Sequence, residues 1–217
     1  MDFSAARRIM VDSQIRPNDV TEPALVAAIM NVAREAFVPA SRKAVAYSEL
    51  EIETSQGRAL WTPRDFSKLL KTAEPQRADI ALIIGAGAGY EVAVLAGMVE
   101  TVIGLEDDES VVEATTARLA EQGADRAVMV QGELGKGLAD QGPFDIIFVN
   151  GMVETVPDAW ADQLAENGRL AVVVQAGRDL GEARIYKRSG KTLSYRVAFE
   201  ASPPKFDAFN ATENFAF

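Results

Sequence analysis

The chain contains no histidine and no cysteine. Without cysteine it can form no disulfide, no thiolate zinc site and no cysteine nucleophile. Without histidine it has no imidazole to act as a general base or to ligate a metal. Proton transfer must use a carboxylate, a lysine, a tyrosine or water, and no metal is expected. Long apolar runs are missing too: no stretch reaches the roughly 18 residues of a spanning helix. The opening "MDFSAARRIMVDSQIRP" lacks the apolar centre and small-residue cleavage site of a signal peptide, so a cytoplasmic location is expected. Basic residues are the minority, 22 against 32 acidic, for a net charge of −10. Phosphate binding needs clustered Lys and Arg, so neither nucleic acid nor membrane is expected as a partner. No repeat or low-complexity tract is present.

What is there suits a globular enzyme. The 217 residues suffice for one sizeable core. Over residues 1–75 the sequence reads as helices and loops. Thr21-Glu22-Pro23 reads as a helix start, with Leu25, Val26, Ile29 and Val32 following at helical spacing. "AFVPAS" is a break. "WTPRDFSKLLKTA" begins a second helix with Thr62 as cap, Pro63 in the first turn, and Phe66, Leu69 and Leu70 inward. From residue 78 strands and helices alternate. "DIALIIGAG", "TVIGLE", "RAVMVQG", "GPFDIIFVNG" and "GRLAVVVQAG" read as strands. "GYEVAVLAGM", "DESVVEATTARLAEQG" and "DAWADQLAENG" read as helices between them. "ARIYKRSG" and "TLSYRVAFEAS" follow as a hairpin turning at "SGK". This rhythm predicts a doubly wound α/β sheet with an antiparallel edge strand, and ligands at the carboxyl ends of its strands. One domain over 1–217 is expected: a helical extension over 1–75 and an α/β core over 76–217.

The stretch "LIIGAGAGYE" carries the chemistry. Gly85, Gly87 and Gly89 alternate after an apolar strand. Glycines there allow backbone angles closed to other residues and let a ligand approach the main chain, while the next helix presents its first N–H groups. A dinucleotide fingerprint needs a small residue where Tyr90 stands, which argues against a nicotinamide enzyme. The G-x-G-x-G form is the one used for S-adenosylmethionine. Glu106, ending the second strand, is placed to accept hydrogen bonds from ribose hydroxyls. The competing reading is a tight turn and a solvated "EDDE" run. Pro203-Pro204 is expected to end the edge strand, with Phe206 and Phe209 packing on the core. "FNATENFAF" is expected either to dock on the body or a second subunit, or to be disordered.

The chain resembles the protein-L-isoaspartate O-methyltransferases. The resemblance runs through "MVDSQIRPNDVTEPALVAAIMNVAREAFVP", "AYSEL", "IGAGAGYEVAVLA", "VQGELGKG", "PFDIIFVNGMVETVP" and "LAENGRLAVVV". It implies a seven-stranded, Rossmann-like methyltransferase sheet and methylation of the displaced carboxylate of isoaspartyl residues in a protein or peptide. Another carboxylate acceptor stays open. It further implies S-adenosylmethionine as cofactor, with S-adenosylhomocysteine as product. The residues implied to hold it are Gly85, Ala86, Gly87, Gly89, Tyr90, Glu106, Asp107, Gly132, Glu133, Leu134 and Asn150. Ala59, Leu60 and Trp61 are implied to line the substrate cleft.

Three motifs depart from the family pattern. Its Gly-x-Thr-Ile-Ser-x-Pro reads "GRALWTP" here, so Trp61 stands for the active-site serine and Ala59 for the threonine. An indole offers one N–H donor and far more bulk. Trp61 reads either as packing for a helix start or as a residue narrowing the cleft. The acid two places before the first glycine is Ile83, and loss of its charge-assisted hydrogen bond is worth about 1.5–3 kcal/mol. Gly-Asp-Gly becomes Gly132-Glu133-Leu134, which keeps a carboxylate for the adenine amino group. No catalytic residue can be named. The alternative reading is an altered or inactive family member serving as a cofactor- or protein-binding module.

Overall fold

The computed structural model describes residues 1–55, 57–178, 180–206 and 209. Its centre is a seven-stranded sheet. In chain order the main strands are β3 (Ile80–Ile84), β4 (Thr101–Glu106), β5 (Ala127–Gln131), β6 (Phe144–Val153), β7 (Leu164–Gln175), β8 (Gly181–Ser189) and β9 (Thr192–Ala201). They lie in the order β5-β4-β3-β6-β7-β8-β9. The first five are mutually parallel, and β8 pairs antiparallel with both β7 and the edge strand β9. The chain reverses its direction of travel across the sheet between β3 and β6, a switch point that opens a crevice at the strands' carboxyl ends.

Side chains alternate across the strands and feed two cores. Ala81 and Ile83 of β3 face a large cluster, with Phe148 of β6. Leu82 and Ile84 face the opposite cluster, with Ile147, Val149 and Trp160. The larger cluster is covered by the N-terminal helices α1 (Phe3–Met10) and α2 (Pro23–Asn31), and by α3 (Pro63–Ala73) and α4 (Tyr90–Ala96). Helix α3 forms as its sequence directs. Thr62 Oγ1 accepts the Asp65 amide at 3.2 Å, Pro63 fills the first turn, and Phe66, Leu69 and Leu70 are buried. Helix α5 (Glu109–Glu121) starts on the Asp108 carboxylate and gives way to Gly123 at φ +66°.

Two elements differ from the sequence reading. Strands β1 (Ile52–Ser55) and β2 (Arg58–Leu60) pair antiparallel, with Gly57 at φ +70° just before β2. The expected helix over "DAWADQLAENG" is only α6 (Asp158–Asp162), because β7 begins at Leu164 opposite Phe144. Gln163 caps the helix, still in the αR region, and its carbonyl accepts the Phe144 amide of β6 at 2.8 Å, which commits the chain to the sheet. Its side chain accepts the Leu138 amide at 2.7 Å and donates to the Lys136 carbonyl at 2.6 Å. Asn167, at φ +62°, then lets the strand bulge before pairing resumes at Arg169. The tail "FNATENFAF" lies outside the described residues except for Phe209.

Candidate functional site

The loop after β3 holds all three glycines in the left-handed region, with Gly85 at φ +71°, Gly87 at +53° and Gly89 at +91°. Four amides of the loop itself, ahead of the helix that starts at Tyr90, are engaged within the protein. Those of Gly85 and Ala86 donate to the Leu105 carbonyl, that of Gly87 to Glu106 Oε1, and that of Gly89 to the Ala86 carbonyl. The carbonyls are engaged as well: Asn150 Nδ2 binds that of Gly85, Thr115 that of Gly87 and Arg118 that of Ala88. The loop is therefore a braced frame that gives a ligand space more than donors.

Around it stand most of the residues singled out from sequence. Glu106 ends β4 and is buried. Its Oε1 accepts the Gly87 amide at 2.6 Å and Arg58 Nε at 2.8 Å; its Oε2 accepts Arg58 Nη2 at 3.0 Å and the Asp107 amide at 3.2 Å. Asp107 also accepts from Arg58. Burial opposes the charge on Arg58, but its contacts with Glu106 outweigh that and hold its pKa above the ordinary value. Asn150 is buried beside Gly85, and its Oδ1 has no protein partner. Gly132 donates to the Glu106 carbonyl at 2.8 Å, and Leu134 is buried next to it. Glu133 turns to solvent and pairs with Lys136 at 2.7 Å.

Other expected site residues are in the core. Tyr90 lies between Phe37 and Phe66, with the Arg34 guanidinium 4.7 Å from its ring. Trp61 is fully buried against Phe148, its Nε1 without a partner. Leu60 is buried too, and of the cleft trio Ala59 alone is half-buried. Trp61 thus packs as core rather than lining an open cleft. Ile83 belongs to the same cluster, so the two departures from the family pattern share one apolar layer.

Two residues that sequence reasoning did not assign to the site complete it. Phe206 does pack on the core, and it does so on the loop itself: a Cβ built on Gly85 would lie 2.1 Å from its Cζ, and one on Gly151 would lie 2.8 Å from its ring. Arg58 stacks over that ring, 4.8 Å from its centre. Arg58 occupies the unspecified position of the Gly-x-Thr-Ile-Ser-x-Pro pattern, which carries no signal for it. What stays open beside Glu106 is a hollow of about 200 Å³ lined by Ser55, Arg58, Asp107, Asp108 and Val111. Sites for drug-sized ligands run to roughly 300–1,000 Å³. A larger hollow of about 460 Å³ lies at the other end of the sheet, near Arg77, Gly97 and Arg126, where strands begin. The glycine frame, the buried Glu106 carboxylate and the unpartnered Asn150 Oδ1 fit a nucleoside cofactor bearing an ammonium group; Phe206 and Arg58 fill much of the space it needs. Among the described residues no cluster of acidic side chains could hold a metal.

Known proteins agree with this architecture. The sequence pattern described as Protein-L-isoaspartate(D-aspartate) O-methyltransferase (PCMT) matches residues 6–200. A protein-L-isoaspartate O-methyltransferase of Roseiflexus castenholzii is 33% identical over 193 residues, covering 89% of this chain and 88% of that one. Its counterpart in Methylorubrum populi is 35% identical over 170 residues, covering 78% and 80%. A solved protein-L-isoaspartate O-methyltransferase shares the fold with a TM-score of 0.77 at 21% identity, over 93% of this chain and 65% of that one. A Plasmodium falciparum protein described as a beta-aspartate methyltransferase, in complex with S-adenosyl-L-homocysteine, gives 0.75 at 16% identity, over 94% and 98%. With the glycine loop, Glu106 and Asn150 gathered at the switch point and the family pattern running through nearly the whole sequence, this chain belongs to the protein-L-isoaspartate O-methyltransferase family.

Proposed function

We propose that this chain methylates the displaced carboxylate of isoaspartyl residues in proteins, with S-adenosylmethionine as donor. The observation that carries the reading is the family pattern over residues 6–200, with its glycine loop at the switch point of the sheet. The bound cofactor supplies an electrophilic methyl group on a sulfonium. Gly85 and Gly87 give it close access to the main chain, and the Glu106 carboxylate is the acceptor for its ribose hydroxyls. Asn150 Oδ1, buried and unpartnered beside Gly85, is the acceptor for its amino group, a role that Ile83 cannot take. The acceptor carboxylate is already ionised at neutral pH, so the reaction needs orientation and exclusion of water more than a general base. A chain with neither histidine nor cysteine is suited to it.

The N-terminal helices share a core with the sheet, which supports one folding unit over 1–217. The net charge of −10 supports a protein rather than a nucleic-acid partner. No helix among the described residues is long and apolar enough to cross a membrane, and a cytoplasmic location is part of this proposal. The deciding experiment offers labelled S-adenosylmethionine and two peptides differing only in an isoaspartyl or aspartyl linkage. The expected outcome is a base-labile methyl ester on the isoaspartyl peptide alone. Absence of label from both peptides, with cofactor bound, would refute the acceptor assignment.

A further inference from the structure

We propose that the crevice is gated by residues 204–206, which follow the edge strand: Phe206 closes it, Arg58 latches it, and the cofactor enters only when both withdraw. The inference rests on the cofactor site proposed above. Three sets of observations carry it.

The first is where the segment runs. β3 ends at Ile84 while β6 continues to Val153, leaving one side of β6 without a neighbour above the glycine loop. The segment after Pro203-Pro204 takes that place. The Met152 amide donates to the Pro204 carbonyl and the Phe206 amide to the Met152 carbonyl, both at 2.9 Å, and Lys205 pairs parallel with Met152. Those two backbone bonds are a slight hold beside a full strand ladder.

The second is what the ring touches. Phe206 is buried against Gly85, just past β3, and Gly151, near the end of β6, the two strands that flank the switch point. Its approach depends on their lack of side chains, the same property that would admit a ligand. Phe209 extends the cover, 3.2 Å from a Cβ built on Gly135 and 5.1 Å from the Trp160 ring.

The third is the latch. Both oxygens of Glu106 that would receive ribose hydroxyls are already bonded to Arg58. The same guanidinium lies over the Phe206 ring. Ribose and Arg58 therefore compete for one carboxylate, and withdrawal of Arg58 removes the cation from the face of the ring. The affinity of such a protein is its intrinsic affinity reduced by the fraction of molecules that are open.

The test is a calorimetric titration of the full-length chain with S-adenosylhomocysteine, which cannot react, for the native protein and for Phe206→Ala. Hydrogen exchange at the Met152 and Phe206 amides is followed in the native protein with and without ligand. If Phe206 is withdrawn in fewer than about one molecule in ten, Phe206→Ala binds at least about tenfold tighter, with Arg58 still competing for Glu106 in both proteins. The gate also makes both amides exchange faster once ligand is bound. Equal affinities, or amides that stay protected in the complex, overturn the gate and leave the cofactor site standing. No binding by either protein at millimolar ligand overturns both. Should Phe206→Ala fail to fold, the exchange measurement on the native protein decides alone.

Discussion

Arg58 and Glu106 form a pair in which both partners are well removed from water, with side-chain exposures of 13% and 1%. Such a pair adds little stability over apolar residues, but removing one partner leaves the other charged, buried and uncompensated. Arg58→Ala is therefore expected to lower stability by about 3 kcal/mol, read as a shift in the urea midpoint. Glu106 keeps its two backbone donors, from Gly87 and Asp107, so the fold should survive the change. Arg58→Ala combined with Glu106→Gln should recover much of the loss, because no stranded charge remains. Equal losses in the single and double variants would mean that Arg58 acts through its packing on Phe206 rather than through its charge. Trp61 and Ile83 illustrate the opposite case. Each replaces a polar family residue, and both are buried in one apolar layer, so they read as a joint change in packing.

The glycine loop shows at the level of an element how one feature can serve both a turn and a site. Gly85→Ala faces two separate costs. At φ +71° an L side chain is strained by about 1–2 kcal/mol, and its Cβ would collide with the Phe206 ring. In a Phe206→Ala background the second cost disappears and the first remains. Gly85→Ala should therefore destabilise the native chain more than the Phe206→Ala chain, by thermal unfolding of the four proteins. Additive losses would show that the ring yields without cost. The loop itself was legible from sequence, since alternate glycines after an apolar run announce both turn and switch point. Thr62 as cap and the hairpin at Gly190 were legible for the same reason: their signals are local. The shortness of α6 was not, because the Gln163 carbonyl is taken by the distant Phe144 amide and β7 pairs from Leu164, contacts that periodicity does not encode. Nor was the return of Phe206 to Gly85, which depends on a backbone pairing with distant Met152.

At the scale of the whole molecule the sheet order and the two-sided core follow from the alternation of strands and helices, but the polar groups sealed inside the larger core do not. Glu91 is fully buried on α4, and no side chain donates to its oxygens; the nearest donors are the backbone amides of Glu91 itself and of Trp61. Burial lifts its pKa to about 7, against the pull of its own amide and of the Arg34 charge. Burial, and then the neighbouring Asp65 carboxylate, lift Glu51 to about 7 as well. For a carboxyl with a raised pKa, the native state holds its proton more tightly than the unfolded chain does. Stability then falls as pH rises from about 4.5 towards 7, and levels off above. Glu22 and Asp108 run the other way. Glu22 is lowered despite some burial, by its own amide and Lys71, and Asp108 chiefly by the Ser110 hydroxyl. Their contribution is present above their unfolded values and is lost as pH falls through the lower folded ones. The raised pair therefore favours the acidic side of neutrality, and the lowered pair opposes it only at lower pH. For Glu91, at about 1.4 kcal/mol per pH unit, the loss across its window is about 3 kcal/mol. Glu91→Gln removes the titrating group while keeping its shape. Urea unfolding from pH 4.5 to 8 should therefore show the native chain losing stability through that range and the variant losing distinctly less. Parallel curves would mean that Glu91 is ionised in the native state throughout, balanced by Arg34.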